Sequence, residues 1–272
     1  MAASEKDYVL GTHDAEIDRL ALQHRVWRRH ALEGWRAAGF TVGQTLLDLG
    51  SGPGNVSFDL AEIVGPTGKV LAMERSRRFL DHLEAMRDRR GLAQIETHEL
   101  DLELDPLPLA NADGAWCRWV FAFLQNPKAL LAKVHRSLRP GATVVFHEYL
   151  DYRTWRYSPP SAELDGFVDV IVKAWKAGGI GPDVGFDLPC WMRDTGFEIV
   201  SLRPILEVAP NGSFTWEWPK AFVYSGAQRM VDLGELSQER ADAIVRAFDE
   251  RDANPNAFVV TPAVLEVVGR RL

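Results

Sequence analysis

Residues 46–54 read Leu-Leu-Asp-Leu-Gly-Ser-Gly-Pro-Gly, an apolar run that stops at an acid and then at three glycines spaced by single residues. Few stretches limit a fold so tightly. Glycines at 50, 52 and 54 can take backbone angles closed to other residues and carry no Cβ, so the chain can turn sharply while a ligand lies against its main chain. A dinucleotide turn needs G-x-G-x-x-G, and here the third glycine comes one residue early. The bare alternative is a tight strand-to-helix turn with no ligand at all.

Two acids further along the chain argue for a ligand. Lys69-Val70-Leu71-Ala72-Met73-Glu74 reads as a second strand ending in a carboxylate about 20 residues beyond the turn, the spacing at which an acid meets ribose hydroxyls. That spacing fits adenosine in nicotinamide enzymes and in other adenosyl-cofactor enzymes alike. Glu99-Leu100-Asp101-Leu102-Glu103-Leu104-Asp105-Pro106-Leu107-Pro108 supplies a third strand-end acid, Asp101, with Asp105 as its competitor and a solvated acidic turn as the plain alternative.

Asp48 through Gly54 resembles the first motif of the class I S-adenosylmethionine-dependent methyltransferases, and Asp101 with its Leu-x-Pro exit is similar to that family's adenine contact. Residues 112–124, Asn126-Pro127 and the later Arg139-Pro140-Gly141 look like its fourth strand, helix and turn into strand five. The resemblance implies a Rossmann-like α/β fold: a seven-stranded, mostly parallel sheet with helices on both faces, an N-terminal helical lid and C-terminal cap insertions. It implies S-adenosylmethionine as cofactor, S-adenosylhomocysteine as product, and a cofactor site made from Tyr8, Gln23, Asp48, Gly50, Ser51, Gly52, Gly54, Glu74, Arg75, Asp101, Leu102, Cys117 and Arg118. Many relatives carry a histidine where Phe123 stands. The Asn/Asp-Pro-Pro-aromatic motif associated with nucleobase and amide nitrogens is absent after strand four, which disfavours those acceptors.

Hydrophobic periodicity supports the same layout. Residues 14–38 alternate as an amphipathic helix carrying Ile17, Leu20, Ala21, His24 and Trp27. Strands are expected near 45–50, 69–74, 94–100, 113–118 and 142–149, with helices near 55–64, 76–90 and 126–138, so right-handed crossovers give a parallel, doubly covered sheet. Residues 198–202 read as a sixth strand and 264–270 as a closing strand inserted antiparallel between the fifth and sixth. All 272 residues form one domain: a lid helix in 1–42, a cofactor-binding core in 43–150, and cap or acceptor-pocket insertions in 150–184 and 209–258. Those insertions, with the end of strand five, carry Tyr149, Tyr152, Trp155, Tyr157, Trp175, Phe214, Trp216, Trp218, Phe222 and Tyr224. Such density suits an apolar or aromatic small acceptor, and equally a cap core packed with rings.

Net charge of −7 argues against nonspecific attraction to nucleic acid. Arg75, Arg77, Arg78, Arg87, Arg89 and Arg90 read as a solvated helix face balanced by nearby acids. Cys117 and Cys190 show no metal or redox spacing, no leader or membrane-spanning run is evident, and a reducing cytoplasm is the default expectation. Methyl transfer from a sulfonium is an in-line displacement that alignment can drive without a catalytic side chain. Where a base is useful, His147 and Glu148 at the end of strand five are the candidates, with Tyr152 and Tyr149 as further donors and a buried structural histidine as the alternative for His147. An aromatic ring near a sulfonium stabilises its charge, a part that Trp119 or Tyr8 can play, while Arg118 at the end of strand four can instead contact an acidic acceptor, fix the lid or form a structural ion pair. Two readings of other classes remain beside methyl transfer to oxygen or carbon: a nicotinamide-dependent oxidoreductase, and a noncatalytic S-adenosylmethionine-binding regulator.

Overall fold

The computed structural model describes residues 14–272. Helix α1 (Asp14–Ala38) presents Trp27, Ala31 and Trp35, one per turn, as a fully buried stripe and stops at Gly39 in the left-handed region (φ 74°). The core then alternates strand and helix: β1 (Thr45–Leu49), α2 (Asn55–Val64), β2 (Lys69–Glu74), α3 (Arg77–Arg90), β3 (Ile95–Glu99), β4 (Ala112–Arg118), α4 (Pro127–Ser137) and β5 (Leu138–Asp151). Local chemistry sets several boundaries. Ser76 accepts a hydrogen bond from the Phe79 amide to open α3, and Asn126, with proline at the first helical position after it, opens α4.

With β7 (Phe197–Ile205) and β10 (Ala263–Arg271) added, the strands lie in the order β3-β2-β1-β4-β5-β10-β7. The first five run parallel, and because helices cover both faces the inner ones are centred on apolar runs such as Leu46-Leu47, whereas β3 at the edge buries only Ile95. After α6 (Leu188–Asp194), β7 (Phe197–Ile205) forms the edge, and β10 (Ala263–Arg271) inserts antiparallel between β5 and β7. This is the seven-stranded, mostly parallel sheet expected. Strand β5 starts earlier than the 142–149 reading because Leu138 already pairs with Ala112 ahead of an irregularity in the ladder.

The insertions build a cap. Helices α5 (Ala162–Ala177), α7 (Glu217–Asp232) and α8 (Gln238–Asp252) pack together, and the short strands β6 (Arg156–Ser158), β8 (Val208–Pro210) and β9 (Phe258–Val260) form a second sheet in the order β6-β9-β8. Three-residue strands are too short to show an alternating pattern, so this sheet leaves no signal in the sequence. Trp155, Tyr157, Trp216 and Phe248 fill the cap's interior. Among the described residues, no helix is long and apolar enough to cross a membrane.

Candidate active site

The glycine turn leaves β1 with Gly50, Gly52 and Gly54 all at positive φ (70°, 54° and 91°). Their tasks differ. A Cβ on Gly50 would lie 2.6 Å from Val120 Cγ2, and one on Gly54 would lie 2.5 Å from Leu83 Cγ, so these two let neighbouring elements pack. A Cβ on Gly52 would meet nothing within 4 Å. Gly52 lines a cavity of about 350 Å³ at the carboxyl ends of β1, β2 and β4, where open α/β sheets bind ligands.

Three strand-end acids face that cavity. Asp48 is buried, and its Oδ2 accepts a hydrogen bond from Ser57 Oγ at 2.6 Å; burial pushes its carboxyl up to about 7. Glu74 accepts from the Gly52 amide at 3.1 Å and the Ser76 amide at 2.9 Å, so it braces the turn while its remaining lone pairs stay available. Burial raises the Glu74 carboxyl and these two donors oppose the rise. Asp101 lines the same space, with Oδ1 accepting from the Glu103 amide at 2.8 Å; its competitor Asp105 accepts from the Asp101 amide and does not line the cavity. Met73, Phe79, Leu100 and Leu102 form the apolar surface between the acids.

Helix α1 closes one side. Arg19, held by Glu16 at 2.7 Å, reaches Gln23 Oε1 at 3.1 Å, and the same oxygen accepts from Trp218 Nε1 of α7 at 3.2 Å. Helices α1 and α7 therefore meet at the cavity wall. His24, also on the wall, has both ring nitrogens engaged: Nε2 is 3.1 Å from Asp59 Oδ2 and Nδ1 is 3.4 Å from Arg118 Nη2. Burial lowers the His24 pKa, and the Asp59 hydrogen bond works against that. Arg118 is brought down to about 10, chiefly by burial, and its Nη1 is buried without a hydrogen-bond partner among the described residues.

Beyond Arg118 the wall turns aromatic. Trp119 leaves β4 in the left-handed region (φ 54°), a conformation that costs a bulky residue energy and clusters at functional sites. Its ring stacks between Tyr149 (5.1 Å, 11°) and Trp218 (6.1 Å, 9°), and Trp175, Phe123 and Phe222 complete the surface.

The structure brings together Gln23, Asp48, Gly50, Ser51, Gly52, Glu74, Arg75, Asp101, Leu102 and Arg118 on one cavity. Gly54 stands behind the turn and Cys117 lies in the core, so neither lines it; Tyr8 falls outside the described residues. The strand-five candidates are also elsewhere, which corrects their expected place. His147 and Glu148 do point to opposite faces, but each is covered. His147 is fully buried beneath α1, with Nε2 2.8 Å from Glu266 Oε2, and burial brings it down to about 4. Glu148 accepts from the Val120 and Phe121 amides at 2.8 and 2.9 Å, capping the short turn at Phe121–Phe123, and burial pushes it up to about 8. Tyr152 is buried against Trp155 and Trp175. Of the ten clustered aromatics, Tyr149, Trp175, Trp218 and Phe222 line the cavity, and Phe214 and Tyr224 are exposed. Sequence reading missed His24 as a wall residue because its partners lie 35 and 94 positions away.

The residues present fit an adenosyl cofactor: a glycine without Cβ opens onto the space, acids stand at the ends of the first two strands and beyond the third, and an apolar slot runs between them. A family model described as a methyltransferase domain matches residues 47–146. A 2-phytyl-1,4-naphtoquinone methyltransferase from Nostoc punctiforme is 30% identical over 168 residues, 60% of this chain and 67% of that protein. An uncharacterized 37.1 kDa transposon protein from Streptomyces fradiae is 28% identical over 167 residues, 61% of this chain, and the chain spans about half of it (47%). Among solved structures, the [4+2]-cyclase SpnF superimposes with a TM-score of 0.58 at 16% identity, covering 89% of this chain and 80% of that one, a likeness of fold alone.

Proposed function

Since the chain belongs to the class I S-adenosylmethionine-dependent methyltransferases, we propose that it methylates a small apolar or aromatic molecule, on oxygen or carbon in preference to nitrogen. One observation carries this reading: a single cavity joins the glycine turn and its acids to the aromatic wall of Trp119, Tyr149, Trp175 and Trp218. The naphtoquinone methyltransferase among the relatives supports an acceptor of this kind.

In this reading Gly52 admits the cofactor to the main chain, Glu74 accepts from its ribose and Asp101 from its adenine. The bound cofactor supplies an activated methyl group on a sulfonium. The protein's part is alignment and exclusion of water, which can account for most of the rate of an in-line displacement. Helix α1 and the cap do the excluding, through the shared Gln23 contact with Arg19 and Trp218. Because His147, Glu148 and Tyr152 lie off the cavity, no proton transfer is assigned to them.

Calorimetric titration with S-adenosylmethionine, S-adenosylhomocysteine, NAD and NADP tests the cofactor, and mass spectrometry of acceptor mixtures tests the reaction. Glu74→Ala and Asp101→Ala should each cost about 1.5–3 kcal/mol of cofactor affinity. Binding of NAD or NADP alone would sink the proposal in favour of an oxidoreductase, and cofactor binding with no methylated product from a broad screen would favour the noncatalytic reading.

A further inference from the structure

The strand order divides the cavity. Glu74 and Asp101 stand at the end of β2 and beyond β3, whereas Trp119 and Tyr149 come from the far ends of β4 and β5, on the other side of β1. Gln23 of α1, which the family resemblance assigns to the cofactor, is tied to the second side. Its Oε1 accepts from Trp218 Nε1 of the cap helix α7 at 3.2 Å, and the Trp218 ring stacks on Trp119 (6.1 Å, 9°).

One end of this amide is spent and the other is not. Arg19 Nη1, at 3.1 Å, is the second donor to Oε1, so both lone pairs of that oxygen are used. Guanidinium and indole nitrogens only donate, and exchanging the amide's oxygen and nitrogen would set N–H against N–H at both contacts, so the orientation is fixed. Nε2 then carries two hydrogens that no described residue accepts, and it keeps accessible surface. Gln23 is half-buried and lines the cavity, and these hydrogens are the polar surface its side chain has left to show there. The neighbouring polar side chains of α1 are occupied: Arg19 is held by both oxygens of Glu16 at 2.7 Å, and His24 has both ring nitrogens engaged.

Resting on the methyltransferase reading, we propose that Gln23 determines specificity for the methyl acceptor: its Nε2 donates to an uncharged oxygen, carbonyl, ether or hydroxyl, carried by an aromatic molecule on the Trp119 side of the cavity. An uncharged donor takes an oxygen lone pair and offers nothing to an ammonium group, whose own hydrogens it would meet. The preference for oxygen or carbon over nitrogen then comes from the wall of the site and needs no base, in keeping with the absence of His147, Glu148 and Tyr152 from that wall.

The test is binding to the protein loaded with S-adenosylhomocysteine. The probes are acetylnaphthalene and isopropylnaphthalene, substituted at the same carbon and alike in shape, of which only the ketone accepts a hydrogen bond. The quantity read is the ratio of their dissociation constants, which cancels what a variant does to ring packing. Gln23→Glu keeps an oxygen for Arg19 and Trp218 and removes the donor hydrogens, and Gln23→Leu removes both. Each should lower the ketone's relative affinity at least about threefold, the worth of one neutral hydrogen bond, with S-adenosylhomocysteine bound as in the wild type. A ratio unchanged in Gln23→Glu would overturn the proposal; if Gln23→Leu alone lowered it, the operative contact would be the oxygen's hold on Trp218. Loss of S-adenosylhomocysteine affinity in both variants would return Gln23 to the cofactor and likewise overturn it. Should the variants fail to fold, the side-chain amide resonances of isotopically labelled wild type decide: the ketone should shift those of Gln23 and the hydrocarbon should not, and an equal response to both would overturn the proposal. Binding of S-adenosylhomocysteine but of neither probe would overturn the aromatic acceptor and leave methyl transfer standing, whereas failure of S-adenosylhomocysteine itself to bind would overturn the methyltransferase reading and this proposal with it.

Discussion

Gly52→Ala separates a backbone role from a ligand-facing one when it is read beside Gly39→Ala. Both glycines sit in the left-handed region, at φ 54° and 74°, and at both an added Cβ would meet nothing within 4 Å. Forcing alanine into that region costs about 1–2 kcal/mol, and restricting the unfolded chain returns about 0.4–1 kcal/mol, so each variant should lose roughly 1 kcal/mol of stability. That is a fall of a few degrees in Tm. Their cofactor affinities should part. Gly52 lines the cavity and Gly39 closes α1 at the surface, so only at 52 does the new methyl stand where an adenosyl cofactor would touch the main chain. Overpacking of about 1–3 kcal/mol corresponds to a roughly 5- to 150-fold weaker S-adenosylhomocysteine Kd. Urea denaturation gives the first quantity and calorimetry the second. Wild-type affinity in Gly52→Ala would refute the cradle, and an equal affinity loss in Gly39→Ala would show that strain rather than occlusion is responsible.

Gly34→Ala should reverse the usual gain of about 1 kcal/mol for this change inside a helix. Its Cβ would lie 2.4 Å from Glu266 Oε2, a carboxylate held by His147 and twice by Arg203, and a net loss of about 2 kcal/mol is expected; unchanged or higher stability in denaturation would contradict it. The depressed His147 pKa means the unfolded chain takes up the proton first: stability is full above about pH 6.5 and falls as pH drops towards 4, by about 3 kcal/mol. Denaturation curves across that range should show a shallower acid limb in His147→Gln than in the wild type, the remainder coming from His24 and His135, which burial also lowers. Glu148 is raised instead, so its contribution is present below about pH 4.5 and lost as pH rises through 8. Glu148→Gln keeps an oxygen for the Val120 and Phe121 amides and should remove that loss while retaining methyl transfer; a variant that binds cofactor but cannot turn over would restore Glu148 as a base.

The cofactor half of the site was legible because its parts are local in sequence: residues 48–54 and Glu74 sit at the ends of apolar strands, and Asp101, two residues beyond β3, was named by the family resemblance. Gln23, Trp175 and Trp218 were named from the sequence as well, but their meeting was not legible, because they come from α1, α5 and α7 and come together only in the folded chain. His147 shows how a strand-end rule misleads. Its position suggested a pocket-facing base, but Glu266, 119 residues later, arrives on the neighbouring strand and takes its ring nitrogen. Aromatic content likewise announced a ring-lined region without dividing it, since burial inside the cap and exposure to the cavity depend on tertiary placement.

The place of β10 imposes an order on assembly. Among the described residues β7 pairs in the main sheet with β10 alone, and β10 cannot pair until residues 263–271 have been made. Between Asp151 and Ala263 lie about 110 residues, which at roughly 5–20 residues per second take on the order of 5–20 s to synthesise. For that time β5 is a growing chain's exposed edge, with Val144, Val145 and Phe146 in its middle and unpaired amides along its side. The edge of the sheet that carries the site is therefore closed only by residues 263–271, and a pause anywhere between residues 151 and 263 would prolong that hazard.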